Sequence, residues 1–172
     1  GVPLGAADVA LRCNLVSTGG AAAEDPGAIM VDYSAGHITT EEGRRIVEDF
    51  RETDVYRERF LPAFELFPGV GYRHLLVWRG GSTDVKLTPP HDILGRPLAE
   101  HLPQGPAGPN LLGLMALAHA WLLLHPVNRD RRKRGEPAAD NFWFWGAGRR
   151  PALAAFAERH GRSGAVISAV DL

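Results

Sequence analysis

The strand-like segments of this chain come in adjacent pairs with helical segments between them, and that order limits the folds open to it. DVALRCNLVS, residues 8 to 17, alternates well enough for a strand, and AIMVDYS at 28 to 34 reads as a second. TGGAAAEDPG between them is turn chemistry, so the two are expected to form a hairpin. FELFPGVGYRHLLVWRG holds another pair, 63 to 67 and 71 to 79, split by Pro-Gly. NFWFWG predicts a short strand and AVISAV a final one. Paired strands followed by helices favour α+β over strict βαβ alternation. The expected architecture is a two-layer sandwich, a mixed and mostly antiparallel sheet with helices packed on it.

The helices are marked by their ends. ITTEEGRRIVEDFRE predicts an amphipathic helix over about 40 to 52, with Thr39 or Thr40 as N-cap, acidic Glu41 and Glu42 in the first turn, and Ile46, Val47 and Phe50 on one face. Residues 109 to 124 predict a long buried helix, opened by Pro109 and closed near His125-Pro126. Arg129 to Arg134 suggest a short continuation ending at Gly135, and PALAAFAERHG a helix with Pro151 at its first position and Gly161 as its stop. TPPHDILGRPLAEHLP is proline-rich and reads as an ordered loop.

Bulk properties narrow the function. A length of 172 residues suits one domain spanning 1 to 172, and 45% hydrophobic with 23% charged residues is the composition of an ordinary globular chain. A net charge of -1 supplies no global basic field, so neither nucleic acid nor anionic membrane is an expected partner. The apolar run LLGLMALAHAWLLL, about 14 residues with a histidine in it, is too short to span a bilayer. The single Cys13 excludes internal disulfides and Cys-based zinc sites and fits a reducing, cytoplasmic setting. The chain opens without Met and closes on GAVISAVDL, which leads to the expectation of a domain cut from something larger.

No P-loop, GxGxxG, HExxH or GxSxG signature is present. Several smaller constellations are. DYSAGH at 32 to 37 places Asp32 and His37 where a strand gives way to a helix; Asp32 orients His37, or both hold a hydroxylated ligand, or Asp32 simply stabilises the turn beside a satisfied loop histidine. Arg73 and His74 should point to opposite faces of one strand, one of them toward the interior or a cleft. His91 and Asp92 sit on the stiff backbone of PPHD, suited to a site wall or to a structural loop. Arg12 and Asn14, two apart, share a face and mark either a polar cleft wall or a solvated edge.

The stretch HPVNRDRRKRGEPAADNFWFWGAGRRP concentrates the remaining signals. Arg129 to Arg134 read as a solvated charge run. Trp143 and Trp145 share one strand face and read as packing. Gly146 to Pro151 is expected to enter a helix N-terminus, where free N–H groups and Arg149 would hold a phosphate or carboxylate.

In order along the chain, LRCNLV, IMVDYSAGHITTEE, FPGVGYRHLLVWRG, TPPHDILGRPLAEHLP, HPVN, WFWGAGRRPAL and GAVISAVDL resemble the archaeal-type cofactor-independent phosphoglycerate mutases over nearly the whole chain. One departure is Asp140, where the family commonly has Asn or Thr. Proteins of this family look like an alkaline-phosphatase-type metalloenzyme with a second domain inserted, and this chain resembles only the insert. The resemblance implies that two divalent metal ions (Mn, Mg or Zn) and the phosphorylated serine belong to the metalloenzyme domain of the same polypeptide, with no metal in this domain. It implies phosphoglycerate as the small-molecule substrate, an isomerase reaction of glycolysis or gluconeogenesis, and no activity from the isolated insert. Asn128 in HPVN joins the implied substrate-side positions Arg12, Asn14, Asp32, His37, Arg73, His74, His91, Asp92 and Arg149. Asp32 and His37, similar to an Asp…His element of the broader mutase group, are the candidates for proton handling. The alternatives are a related phosphotransferase acting on homoserine or another small hydroxy acid, and a non-catalytic ligand-binding or regulatory domain.

Overall fold

Alternation on one strand organises the molecule. In β1 (Val9–Val16), Val9, Leu11, Cys13 and Leu15 are fully buried on one side, while Arg12 projects from the other. β1 lies between two antiparallel partners, β3 (Arg73–Trp78) and β4 (Asn141–Gly148), and β2 (Phe64–Val70) completes the order β2-β3-β1-β4. The structure, a computed structural model, describes residues 1–152 and 154–164, so the strand expected over AVISAV lies outside the described residues. Every ladder among the described strands is antiparallel; the single parallel pairing is an isolated bridge between Met30 and Leu94. The architecture is α+β.

Helices cover the buried face. α1 (Thr40–Arg51) begins where the Thr39 hydroxyl accepts from the Glu42 N–H at 3.2 Å, and buries Ile46, Val47 and Phe50. α3 (Gly108–Leu122) buries Leu111, Leu114, Met115, Ala118 and Leu122, and its His119 meets the Asp140 carbonyl at 2.8 Å. Burying a single Leu of this kind is worth about 2 kcal/mol, so this interface contributes substantially to the stability of the fold. Among the described residues no single helix is long and apolar enough to cross a membrane.

Several expectations from the sequence need correction. AIMVDYS is not a strand: its backbone groups are met singly, by Ser17 on one side and by residues 94 to 98 on the other. Its alternation arises because Ala28 and Met30 are buried while Ile29 and Val31 face out, a pattern a well-anchored loop shares with a strand. A short helix that the sequence pattern did not predict, α2 (Asp54–Arg59), follows α1; Tyr56 ties it to β2 by donating to the Phe64 carbonyl and accepting from the Leu66 N–H. The Pro68-Gly69 pair does not end β2 but shifts its register between Phe67 and Val70. The last described helix, α5, runs only from Phe156 to His160, so Pro151 does not start it, although Gly161 does close it in the left-handed region.

The basic run is also more than a continuation of α3. α4 (Pro126–Lys133) is a separate helix, bent 59° from α3 after the 123–125 link, because Pro126 bars His125 from helical geometry. Arg131 within it is buried, not solvated.

Candidate active-site cleft

The sheet face opposite the helices carries an open cleft of about 1350 Å³. Its floor follows from register. Arg12 pairs with Leu75 and Trp145, and Asn14 pairs with Arg73 and Trp143, so these side chains share one side of the sheet. Trp143 is sealed beneath the 82–107 loop, donating from Nε1 to the Thr88 carbonyl at 2.8 Å. Trp145 stays half-buried and forms the floor.

Charge on this surface has one sign. Arg12, Arg73, Arg149 and Arg150 line the cleft, and no Asp or Glu stands among its described lining residues. In a protein whose net charge is -1, this concentrates positive potential in one place. Aromatic rings fix the geometry. The Arg73 guanidinium lies 4.4 Å from the Tyr72 ring centre and that of Arg12 4.7 Å from Trp145. Between them Tyr72, Tyr33, His91 and Trp145 form an edge-to-face series with centroids 5.8, 6.2 and 5.3 Å apart. Asn14, nearly buried, is the hinge of this wall: its Oδ1 accepts from Trp145 Nε1 at 3.0 Å and its Nδ2 donates to the Tyr33 carbonyl at 3.1 Å.

Of the ten positions singled out from the sequence, the structure brings the side chains of five to this cleft, Arg12, Asn14, Arg73, His91 and Arg149, while His74 borders it from the strand with its ring on the opposite face. The pair Arg73 and His74 divides as alternation requires. Arg73 is exposed on the cleft side, while His74, opposite Cys13, turns its ring toward Gly43 of α1. His74 Nδ1 accepts from the Gly69 N–H at 3.1 Å, which leaves the proton on a buried Nε2 that has no partner among the described residues. Burial pushes this imidazole down to about 4.

Arg149 reaches the cleft differently from the expectation. Its loop does not enter a helix N-terminus, since the next helix starts seven residues later at Phe156, so the amide-dipole argument for an anion there lapses. Its guanidinium is instead anchored on the carbonyls of Ala7 and Gly81.

The other four positions lie outside the lining. Asp32 is engaged in its own turn, accepting from Ser34 N and Oγ at 2.6 Å each and from Gly36 N at 3.1 Å. His37 is exposed at the cleft margin, with its ring 6.2 Å from Tyr72. Asp92 is exposed beside His91. Asn128 is fully buried and its amide is spent on the backbone of Leu122 and Ala139. Asp140, the departure from the family pattern, is likewise internal: it accepts from Thr18 and Gly20 N–H groups, and burial raises its carboxyl pKa.

Tyr33, Tyr72, Trp145 and Arg150 were missed. Tyr72 and Arg150 adjoin residues already chosen, and Trp145 becomes visible as a site residue only once its register opposite Arg12 is known.

Comparison with known proteins follows the same line. The model of the family described as 2,3-bisphosphoglycerate-independent phosphoglycerate mutase matches residues 1–128. A probable 2,3-bisphosphoglycerate-independent phosphoglycerate mutase from Geobacter sulfurreducens is 46% identical over 172 residues, all of this chain and 41% of that protein. The 2,3-bisphosphoglycerate-independent phosphoglycerate mutase of Methanothrix thermoacetophila is 43% identical over 99% of this chain and 40% of its own length. The chain thus spans about two fifths of these relatives. In fold it is similar to the cofactor-independent phosphoglycerate mutase from Thermoplasma acidophilum, with a TM-score of 0.61 at 21% identity over 90% of this chain and 40% of that one.

Proposed function

Since the chain belongs to the 2,3-bisphosphoglycerate-independent phosphoglycerate mutase family, we propose that its arginine cleft is the substrate-side wall of such an enzyme, holding phosphoglycerate while a phosphoryl group moves between its hydroxyls. The observation that carries this reading is the single-signed cleft: four arginines, no carboxylate among the described lining residues, and two of the guanidiniums held over aromatic rings. Phosphoglycerate presents a carboxylate and a phosphate, each suited to bidentate guanidinium contacts. Fixing both ends of a small molecule against rotation is the positioning half of phosphoryl transfer.

The cleft is larger than the roughly 300–1,000 Å³ usual for small-ligand pockets and is open on one side. That fits half of a site, closed by the metalloenzyme domain of the same polypeptide in a cytoplasmic, glycolytic enzyme of the alkaline phosphatase superfamily. In that enzyme two divalent metal ions would neutralise charge on the transferring phosphoryl group. Among the described residues no three His, Cys, Asp or Glu side chains converge as metal ligands, so the residues of this wall do not fit such ions and no step of this wall runs through them. The work of this wall is to bind, orient and exclude water. In this reading His91, exposed beside Trp145, is the imidazole that would meet a substrate hydroxyl.

Titration of the chain with 3-phosphoglycerate, followed by amide NMR shifts, tests the reading. Shifts clustered at Arg12, Tyr33, Arg73 and Trp145 at millimolar ligand support it. Saturating ligand that leaves those amides unmoved, or equal response to inorganic sulfate, overturns it. Phosphohomoserine, whose ammonium group would face the arginines, should bind more weakly.

A further inference from the structure

Ala35, Gly36 and His37 have φ values of 49°, 64° and 51°, three left-handed residues in succession, and Ala35 and His37 are the non-glycine residues with positive φ among those described. Each non-glycine residue held there costs about 1 kcal/mol or more, so the surroundings must over-determine the turn. Part of the restraint is local, from Asp32 and from Ser34, whose hydroxyl accepts from the His37 N–H at 3.1 Å. The rest comes from α4, nearly a hundred residues along the chain.

Arg131 is 3% exposed; three of its N–H groups donate hydrogen bonds, and Glu136 adds an ion pair. Nη2 donates to the Ala35 carbonyl at 2.7 Å, Nε to the Pro137 carbonyl at 2.9 Å, and Nη1 to Glu42 Oε2 at 2.6 Å, with Glu136 at 3.2 Å. The packing has no slack: a Cβ on Gly36 would stand 2.9 Å from Pro137 Cδ and 3.2 Å from Arg131 Nη2. The turn so clamped carries Tyr33 at its entry and His37 at its exit, both set edge-to-face against Tyr72. Tyr72 in turn supports Arg73.

We infer that Arg131 is a positioning residue for the cleft: it touches no ligand, but holds the left-handed turn that places Tyr33 and His37 against Tyr72 and so fixes the Arg73 end of the site. The inference rests on the cleft reading above for its functional consequence, and on the turn alone for its structural one. A lysine carries the same charge but cannot contact Glu42, Pro137 and Ala35 at once.

The test is Arg131→Lys in this chain. The expected result is a folded protein in which the amide shifts of residues 35 to 37 move, the Tyr33–Tyr72 and His37–Tyr72 ring contacts seen by nuclear Overhauser effect are lost, and the Kd for 3-phosphoglycerate rises about tenfold. Arg150→Ala should raise the Kd with those ring contacts intact. Turn signals and Kd both unchanged would overturn the inference, and so would altered turn signals with an unchanged Kd, which would make Arg131 merely structural. Should the Lys variant not fold, Arg131→Gln with Glu42→Gln removes both charges together and leaves neither buried alone. The same signals are then read, and the same outcomes support or overturn the inference. If the unaltered chain fails to bind 3-phosphoglycerate, the cleft reading falls, while the ring contacts still decide what Arg131 holds.

Discussion

His74 shows how one buried side chain links the sheet to the site. Its ring is enclosed between the β2–β3 turn and α1, its Nδ1 is used by the Gly69 N–H, and its Nε2 has no partner among the described residues, so burial disfavours the cation in the folded state. The sign of the consequence is fixed. Above pH 6.5 the ring is neutral folded or unfolded and contributes no pH dependence. Below it the unfolded chain takes up a proton that the folded chain refuses until about pH 4, so stability is present above 6.5 and lost as pH falls toward 4. That interval corresponds to about 3 kcal/mol. Urea denaturation of the chain and of His74→Gln at pH 7, 5.5 and 4.5 should show the difference between the two shrinking or reversing as the pH drops, because Gln can still accept from Gly69 but does not titrate. A difference independent of pH would mean that the folded state accommodates the charged ring.

At the level of elements, the contact between α1 and the β2–β3 hairpin sets where Tyr72 and Arg73 stand. A Cβ on Gly43 would lie 2.4 Å from the Gly71 carbonyl oxygen, a backbone atom with nowhere to go, so the helix approaches the turn more closely than any side chain permits. Gly43→Ala should therefore destabilise by roughly 1–3 kcal/mol despite the better helix propensity of Ala. Gly113→Ala in α3, whose Cβ meets nothing within 4 Å, should stabilise by up to about 1 kcal/mol. Urea midpoints that shift in the same direction for both would contradict this. Neither distinction was visible in the sequence, where both are glycines inside helical patterns. What was legible there was local: the Thr39 cap and the Ile46, Val47, Phe50 stripe of α1, the alternation of β1, and the proline that separates α3 from α4. Arg12 and Asn14 could be paired on one face for the same reason, since a strand has period two. The hidden part depended on partners distant in sequence. Arg131 reads as one more charge in a basic run until Glu42, Ala35 and Pro137 close around it, and Trp145 reads as packing until cross-strand register sets it under Arg12. AIMVDYS alternates like a strand because a loop pinned on both sides also buries every second residue.

On the scale of the whole molecule, charge is nearly balanced, yet its distribution is not. Carboxylates of α1 and α4 meet cations on the same helices, as in Arg44–Glu48, Arg45–Asp49 and Lys133–Asp130, which offsets charge on those surfaces. The cleft has cations and no described carboxylate in its lining. A ligand bearing two anionic groups would therefore feel a local field rather than a global one, and the affinity should respond to salt and to cleft arginines but not to arginines elsewhere. Raising ionic strength from about 0.01 M to about 0.15 M shortens the screening length from roughly 30 Å to roughly 8 Å. The Kd for 3-phosphoglycerate should rise severalfold over that range, measured by NMR titration or calorimetry. Arg73→Ala should weaken binding about tenfold or more, the loss of a charge-assisted contact worth about 1.5–3 kcal/mol, with little change in stability because the side chain is exposed. Arg129→Ala, equally exposed but on α4, should leave the Kd unchanged. If Arg129→Ala weakened binding as much as Arg73→Ala, the attraction would belong to the surface at large, and the cleft would lose its claim to be the place where the anion is held.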